Sequence, residues 1–205
     1  MMHSREQCGF TLVEMLVSIS IFAVITAFTT ANFRLARQGD EIRLASQLVG
    51  SAMRRAQTSA AAGETVWLCH GGANDLKMCL NGDAALCPSG TCAQEVPSGY
   101  GIHVATVSPD SRKIVLFADL NNDKAYTLGE AVRSDNVSPG PFVSVSAVSP
   151  VASNALDVVF QPPKPTGYFN GSTAQATATV TLTHSTTGAQ KTVTVNRISG
   201  QISAD

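Results

Sequence analysis

The strongest constraint on this chain is an apolar stretch that lies close to its N-terminus. Residues 10–33 contain a single charged side chain, that of Glu14. As a helix, these 24 residues would be about 36 Å long, which is enough to cross a hydrocarbon core of about 30 Å. The composition and length therefore predict a transmembrane helix over residues 10–33.

The segment before this stretch, residues 1–9, is short and polar. An ordinary secretory signal has the opposite order, with its apolar region in front of a small-residue cleavage site. Here a small residue, Gly9, stands between the polar segment and the apolar one. A cut after Gly9 would remove residues 1–9 as a leader and would leave the apolar helix at the start of the mature chain.

The sequence GFTLVEMLV at residues 9–17 resembles the prepilin signature of type IV pilins and type II secretion pseudopilins. The resemblance implies that a membrane prepilin peptidase cuts between Gly9 and Phe10 and methylates the new amino group of Phe10. It also implies a carboxylate at the fifth mature position, here Glu14. The implied partners are other pilin or pseudopilin subunits, the prepilin peptidase, an inner-membrane assembly platform and membrane lipid. The implied location is a single pass through the inner membrane, with the head outside the cytoplasm, before assembly into a pilus or pseudopilus.

The carboxylate of Glu14 needs a compensating interaction in this environment. An acidic side chain costs about 2.5 to 3.5 kcal/mol at the centre of a membrane helix, and less toward the interface. In the pilin interpretation its partner is the amino group of Phe10 on a neighbouring subunit, and this charge pair sets the axial register of assembly. The alternative is that Glu14 lies near the membrane surface and is hydrated. We interpret Gly9, Phe10 and Glu14 as processing and assembly residues, because charges within a membrane segment usually mark function.

An apolar repeat continues the helix beyond the membrane-spanning stretch. Its positions are Leu35, Ile42, Val49 and Ala56, seven residues apart, with Ala45, Ala52 and Ser59 three residues after the last three. This pattern predicts an amphipathic continuation over residues 34–63, with one face covered by the rest of the protein. Gly63 follows a run of alanines and is the predicted stop signal.

Beyond the helix, alternating and β-branched runs between turn residues predict a mainly antiparallel β head over residues 64–205. The predicted strands are 65–70, 100–106, 113–118, 142–148, 156–160, 176–183 and 191–196. The last two form the clearest pair, a hairpin with one wet face and a loop that contains Gly188. Helix and strands together predict an α+β fold. The resemblance implies the type IV pilin fold, a long N-terminal helix packed on an antiparallel sheet.

Blocks within the head are similar to FimT/GspH-like minor pilins and pseudopilins. These blocks are residues 97–101, 117–123 and 128–130, together with a final strand that contains residues 195–198. In FimT-like pilins DNA contact is associated with a basic C-terminal region, and here only Lys191 and Arg197 stand near the end. The head has 8 basic and 11 acidic residues from Glu64 onward, so DNA is a weakly supported partner.

Four cysteines, Cys69, Cys79, Cys87 and Cys92, lie in one short region of the head, and Cys8 lies in the predicted leader. An even number outside the cytoplasm predicts two disulfides. A Cys87–Cys92 bond together with a Cys69–Cys79 bond is geometrically plausible, but the sequence leaves the choice among three pairings open. The alternatives are free thiols and a zinc site that includes His70, although the C-x-x-C pairs of zinc ribbons are missing.

The acidic loop that begins at residue 119 has oxygen ligands at the spacing of a calcium-binding loop. The candidate ligands are Asp119, Asn121, Asp123 and Glu130. Lys124 stands where such a loop needs glycine for its sharp turn, and the flanking segments are predicted strands, so only a site looser than an EF-hand is compatible. The interpretation that we favour is an Asn/Asp-rich hairpin whose side chains cap their own backbone without a metal.

Motifs for catalysis are missing from the sequence, and His70, His103 and His184 are scattered without an obvious partner. We therefore predict that the chain is not an enzyme and, calcium apart, that it has no cofactor. The predicted function is that of a minor pilin or pseudopilin, a structural subunit of a type IV pilus or a type II secretion pseudopilus. The alternative is an exposed binding module, either an adhesin or a DNA-capture pilin.

Overall fold

The computed structural model describes residues 11–71, 77–79, 84–88, 90–138, 140–162 and 166–205. Its helix, α1, is Leu12–Ala62. Its strands are β1 Val66–His70, β2 Thr91–Glu95, β3 Gly99–Ala105, β4 Lys113–Asp119, β5 Ala131–Asn136, β6 Val143–Ser149, β7 Ala155–Gln161, β8 Thr166–Phe169, β9 Thr177–His184, β10 Gln190–Asn196 and β11 Ile202–Ala204. Short 3₁₀ turns occupy Ala84–Leu86 and Asp110–Arg112. The chain divides into two compact units, Met1–Gly39 and Asp40–Asp205, called here the N-terminal unit and the head unit.

The N-terminal unit contains a helical segment, Leu12–Thr30, that is long and apolar enough to cross a membrane. Its mean hydropathy is 2.1 over 19 residues, and none of it is buried within the protein. The hydroxyl groups of Ser18, Ser20 and Thr26 donate to the carbonyls four residues earlier, at 2.8, 2.8 and 2.7 Å. Because these donors are satisfied within the helix, the three hydroxyl groups add little unpaired polarity to the segment.

In the head unit, α1 buries one face. The fully buried apolar positions are Ile42, Ala45, Val49, Met53, Ala56 and Ala60, each 0–3% exposed. Their spacing of three and four residues is that of an amphipathic helix with one covered face. Of the predicted stripe, Ser59 is also buried and Ala52 is partly buried against the core, whereas the buried Met53 was not among the predicted positions. The side chain of Leu35, the first residue of the predicted stripe, is not among those that the structure describes.

The predicted stop signal lies at the C-terminal end of α1. Gly63 has a φ of +60°, and its N–H donates to the carbonyl of Ala60 at 3.2 Å. The N–H of Glu64 donates to the carbonyl of Ser59 at 3.1 Å. These two bonds form a Schellman motif, which needs a left-handed residue directly after the helix. Glycine adopts that conformation without strain, so the helix ends where the sequence predicts.

The strands form three antiparallel sheets. Five strands follow the order β5-β4-β3-β7-β8, four follow β11-β10-β9-β6, and β1 pairs with β2 alone. The buried face of α1 and the inner faces of the two larger sheets share one apolar core, which includes Ile102, Phe160 and Val180. The α+β class with a long helix packed on antiparallel sheets is therefore confirmed.

All seven predicted strands are present, and no observed end lies more than one residue from its predicted position. Four observed strands were missed, namely β2, β5, β8 and β11. The strands β5, β8 and β11 lie at sheet edges, and β5 is exposed along its whole length. The strand β2 is short and partly exposed in a two-stranded sheet. The strands β2, β5 and β11 bury too little to show the apolar alternation on which sequence-based assignment depends. In β8 burial does alternate, but one of its two buried residues is Gly167, which gives no apolar signal.

Candidate functional site

The N-terminal end of α1 carries Glu14, the one predicted assembly residue that the structure describes. Gly9 and Phe10 lie outside the described residues. The Oγ1 of Thr11 accepts the backbone N–H of Glu14 at 3.3 Å, and the carbonyl of Thr11 accepts the N–H of Met15 at 3.2 Å. Thr11 is therefore the N-cap of the helix, and Glu14 is its third residue. The spacing Thr-x-x-Glu is that of a capping box, a signal in the sequence that our sequence reasoning missed.

The side chain of Glu14 is exposed in the first helical turn. A negative charge is favourable here because the helix macrodipole is positive at its N-terminus. Within residues 11–71 and the later described ranges, no hydrogen bond or ion pair of its carboxylate occurs. The carboxylate is thus free to pair with a group on another chain, and the pairing with Phe10 stays a prediction.

The four head cysteines form two disulfides in contact with each other. Cys69 bonds to Cys87, and Cys79 bonds to Cys92. The Sγ atoms of Cys69, Cys79 and Cys87 all lie within 4.8 Å of one another, and these three residues are buried. The zinc and free-thiol alternatives do not apply to this arrangement, because all four sulfurs are used in disulfides. His70 lies near a carboxylate instead, with its Nε2 3.4 Å from Glu95 Oε1.

The pairing that the sequence suggested as plausible, Cys87–Cys92 with Cys69–Cys79, is wrong. In the β1–β2 ladder Cys69 lies directly opposite Cys92. On the other side of β1, the N–H of Cys79 donates to the carbonyl of Trp67 at 3.0 Å, and the N–H of Cys69 donates to Lys77 at 2.9 Å. Cys69 nevertheless bonds to Cys87 and not to its ladder neighbour Cys92, so neither the spacing in the sequence nor the strand register alone reveals the pairing.

In the acidic loop, each of the four candidate calcium ligands takes part in local hydrogen bonds. Glu130 Oε1 and Oε2 accept the N–H groups of Leu120 and Thr127 at 3.0 and 2.8 Å. Asp119 Oδ2 accepts the N–H of Lys124 at 3.2 Å. The remaining bonds join Asp123 Oδ1 to the N–H of Ala125 at 2.9 Å and Asn121 Oδ1 to the N–H of Asp123 at 3.0 Å. The loop is therefore a capped turn of the kind that needs no metal.

The geometry gives calcium weaker support than the spacing does. No choice of one oxygen each from Asp119, Asp123 and Glu130 brings all three within 4.8 Å of one another. Lys124 has a φ of +61°, so it adopts the left-handed conformation that a sharp turn requires although it is not glycine. One feature still points to a cation, since Asp119 Oδ1 is buried without a hydrogen-bond partner.

We expect Asp119→Asn to raise the melting temperature of the protein at pH 7 and to lose this advantage near pH 4. Burial raises the pKa of Asp119 above its ordinary value of about 3.9. A raised native pKa adds stability below the unfolded-state value, and that stability is lost as the pH rises through the native pKa. The amide stays neutral throughout and still accepts the N–H of Lys124. Thermal unfolding by circular dichroism between pH 4 and 7, with a chelator present, measures the difference.

The same variant separates the two interpretations of the loop. With millimolar calcium in place of the chelator, a capped turn keeps its melting temperature. A rise for wild type at pH 7 that Asp119→Asn abolishes would instead establish a calcium site. An advantage of Asp119→Asn that is equal at pH 4 and pH 7 would contradict the burial of a titrating carboxylate.

The three histidines that seemed isolated in the sequence each lie beside a carboxylate. His103 Nδ1 is 2.6 Å from Asp157 Oδ1, and the other oxygen of Asp157 accepts the N–H of Tyr126 at 3.2 Å. Asp157 therefore joins β3, β7 and the acidic loop, which is a structural role. His184 Nε2 is 3.4 Å from Glu41 Oε2 and links β9 to α1. These partners are far apart in the chain, so no local sequence pattern predicts the pairs.

The two basic residues that the DNA hypothesis used lie on or just after β10. Lys191 lies on β10. Arg197 follows β10, and its Nε donates to the carbonyl of Gln175 at 3.2 Å. DNA binding stays a weakly supported prediction.

Comparison with known proteins gives one result. Residues 4–30 match the family model described as the prokaryotic N-terminal methylation motif, and this range includes Gly9, Phe10, Glu14 and the apolar helix up to Thr30. Neither the curated proteins nor the solved structures provide a significant match. The match covers only the N-terminal part of the chain, where the helix of membrane-spanning length begins. At its N-terminus, the chain therefore carries the motif of a type IV pilin-like prepilin.

Proposed function

We propose that the chain is a structural subunit, a minor pilin or pseudopilin, of a type IV pilus or a type II secretion pseudopilus. One observation carries this proposal: the methylation motif at residues 4–30 coincides with an unburied helix of membrane-spanning length. In a membrane that helix anchors the subunit. In a filament the same apolar surface packs against other subunits.

The proposed cycle uses the residues at the start of the mature chain. Prepilin peptidase cuts after Gly9 and methylates Phe10, and an inner-membrane platform then assembles the subunit. The carboxylate of Glu14 pairs with the amino group of Phe10 on a neighbouring subunit. Two disulfides suit a head outside the cytoplasm, because disulfides persist in oxidising compartments. The FimT/GspH-like character of the head, and with it the minor role, belongs to this proposal.

Cleavage and methylation can be tested directly. In a host with prepilin peptidase, intact mass spectrometry of the membrane fraction should show wild-type protein without residues 1–9 and with one added methyl group. Gly9→Val should keep the leader, because a branched side chain blocks the position that the peptidase must accommodate. Cys8→Ser is the matched control and should be processed normally. A wild-type protein that keeps its leader, or begins at another residue, would refute the proposal.

A further inference from the structure

The five-stranded sheet has one open edge beside α1. The edge strand β5 pairs with β4, and no strand lies on its other side within the described ranges. All six residues of β5 are exposed. The outward N–H and C=O groups of such a strand form a template for an added strand.

An apolar groove runs between β5 and α1. A cavity of about 520 Å³ has Leu44, Leu48 and Ala52 of α1 on one side and Ile114 and Leu116 of β4 on the other. Leu44 and Leu48 are 43% and 37% exposed, which is high for leucines next to a core. The five-stranded sheet, which ends at β5, leaves the side chains of Leu44 and Leu48 partly uncovered.

A second cavity of about 260 Å³ extends the groove toward β1 and shares Arg55 and Leu116 with the first. Along α1 the groove reaches from Leu44 to Ser59, which is about 22 Å at 1.5 Å per residue. An extended chain covers this length with about seven residues. The groove therefore matches a single strand of ordinary length.

The charges in the groove restrict what can bind. Arg133 and Asp135 lie opposite Leu116 and Ile114 in the β4–β5 ladder, so they share the inward face of the sheet. They pair with each other, Nε to Oδ2, at 2.6 Å. Inward charges on an edge strand discourage indiscriminate pairing, so a partner must match them.

Two charged side chains of the groove, those of Arg55 and Glu64, have no ion pair across the ranges that the structure describes. Arg55 lines both cavities, whereas Glu64 lines only the second. A carboxylate of the occupant that lies in the first cavity would pair with Arg55 in the bidentate geometry that arginine favours.

We propose that this groove binds an extended segment of another protein chain, which adds to β5 as a sixth strand. Alternate apolar side chains of that segment cover Leu44 and Leu48, and a carboxylate near its middle pairs with Arg55. A helix is a poorer occupant, because its backbone is satisfied internally and would leave the edge of β5 unpaired. None of the residues that line the groove belongs to Leu12–Thr30, the segment of membrane-spanning length.

The test uses the full chain in detergent micelles and a blocked seven-residue peptide with glutamate at its centre. Valines two residues before and after the glutamate share its face of the strand, and threonines occupy the other positions. We expect saturable binding, followed by NMR, with slower hydrogen exchange at the outward amides of β5. Arg55→Glu should weaken binding about tenfold, as should a central lysine in the peptide. Arg43→Glu, the same charge change on the exposed side of α1 outside the groove, should change the affinity less than about twofold.

Several results would overturn the proposal. These are the absence of saturable binding, binding that leaves β5 exchange unchanged, and equal losses for Arg55→Glu and Arg43→Glu, which would indicate general charge attraction. Protection of β5 that rises with protein concentration alone would assign the edge to self-association instead. The lysine peptide leaves the protein unaltered, so the charge requirement is measured even if Arg55→Glu unfolds the head.

Discussion

Glu14→Gln is expected to yield a protein that is cleaved and anchored normally but is recovered in filaments about tenfold less than wild type. The change removes the charge that the proposal pairs with the amino group of Phe10 on a neighbouring subunit, and a lost interaction of about 1.4 kcal/mol per subunit corresponds to tenfold. The helix itself should persist, because Thr11 caps the backbone N–H of residue 14 and not its carboxylate. Comparison of sheared filaments with the membrane fraction by immunoblot gives the ratio.

Thr11→Ala is the control that separates charge pairing from helix capping. It removes the N-cap, which costs about 1 kcal/mol of helix stability, and keeps the carboxylate. If Glu14 acts in assembly through its charge, Thr11→Ala should assemble nearly as well as wild type. Equal defects in the two variants would assign Glu14 to the start of the helix. Normal assembly of Glu14→Gln would remove the charge pair from the proposed function.

The second large effect concerns the disulfides. The double variant Cys69→Ser/Cys87→Ser should lower the free energy of unfolding of the head by about 3 kcal/mol. The Cys69–Cys87 bond closes a loop with a sequence separation of 18, and its removal frees the unfolded chain while leaving polar groups in a buried cluster. Denaturant unfolding of the full chain in detergent, without reductant, measures the loss.

Cys8→Ser is the matched control for this stability change, because Cys8 belongs to the predicted leader and should have no effect on the head. Peptide mapping without reductant checks the pairing itself and should recover the fragments Cys69–Cys87 and Cys79–Cys92. Four alkylatable head thiols in the purified protein, or a Cys87–Cys92 fragment, would contradict the structure. An unchanged free energy of unfolding would show that the bond does not restrict the unfolded chain.

The long helix and the central strands could be predicted because their signals are local. The apolar stretch, the spacing of Ile42 and Val49, and the glycine at position 63 each lie within a few turns of the element that they specify. Strands such as β9 alternate because one face is buried. The edge strand β5 has no such face, and Met53 is central only because of how the helix rotates against the sheets.

The candidate sites divide in the same way. The methylation motif is contiguous, so the sequence shows it directly. The partners of His103 and His184, the cysteine pairing and the groove beside β5 arise where distant segments meet. The acidic loop has a local pattern that fits two structures. Ligand spacing alone does not distinguish carboxylates that surround an ion from carboxylates that cap a turn.

The crossed order of the two disulfides has a consequence for the protein after proteolytic damage. The bonds Cys69–Cys87 and Cys79–Cys92 interleave, so a single cut anywhere between residues 69 and 92 leaves both fragments covalently joined. With the sequential pairing, one cut between residues 79 and 87 would separate β2 and all later strands from α1. This region is rich in small and polar residues, which proteases favour at exposed loops. The interleaved bonds thus keep the later part of a nicked chain attached to α1.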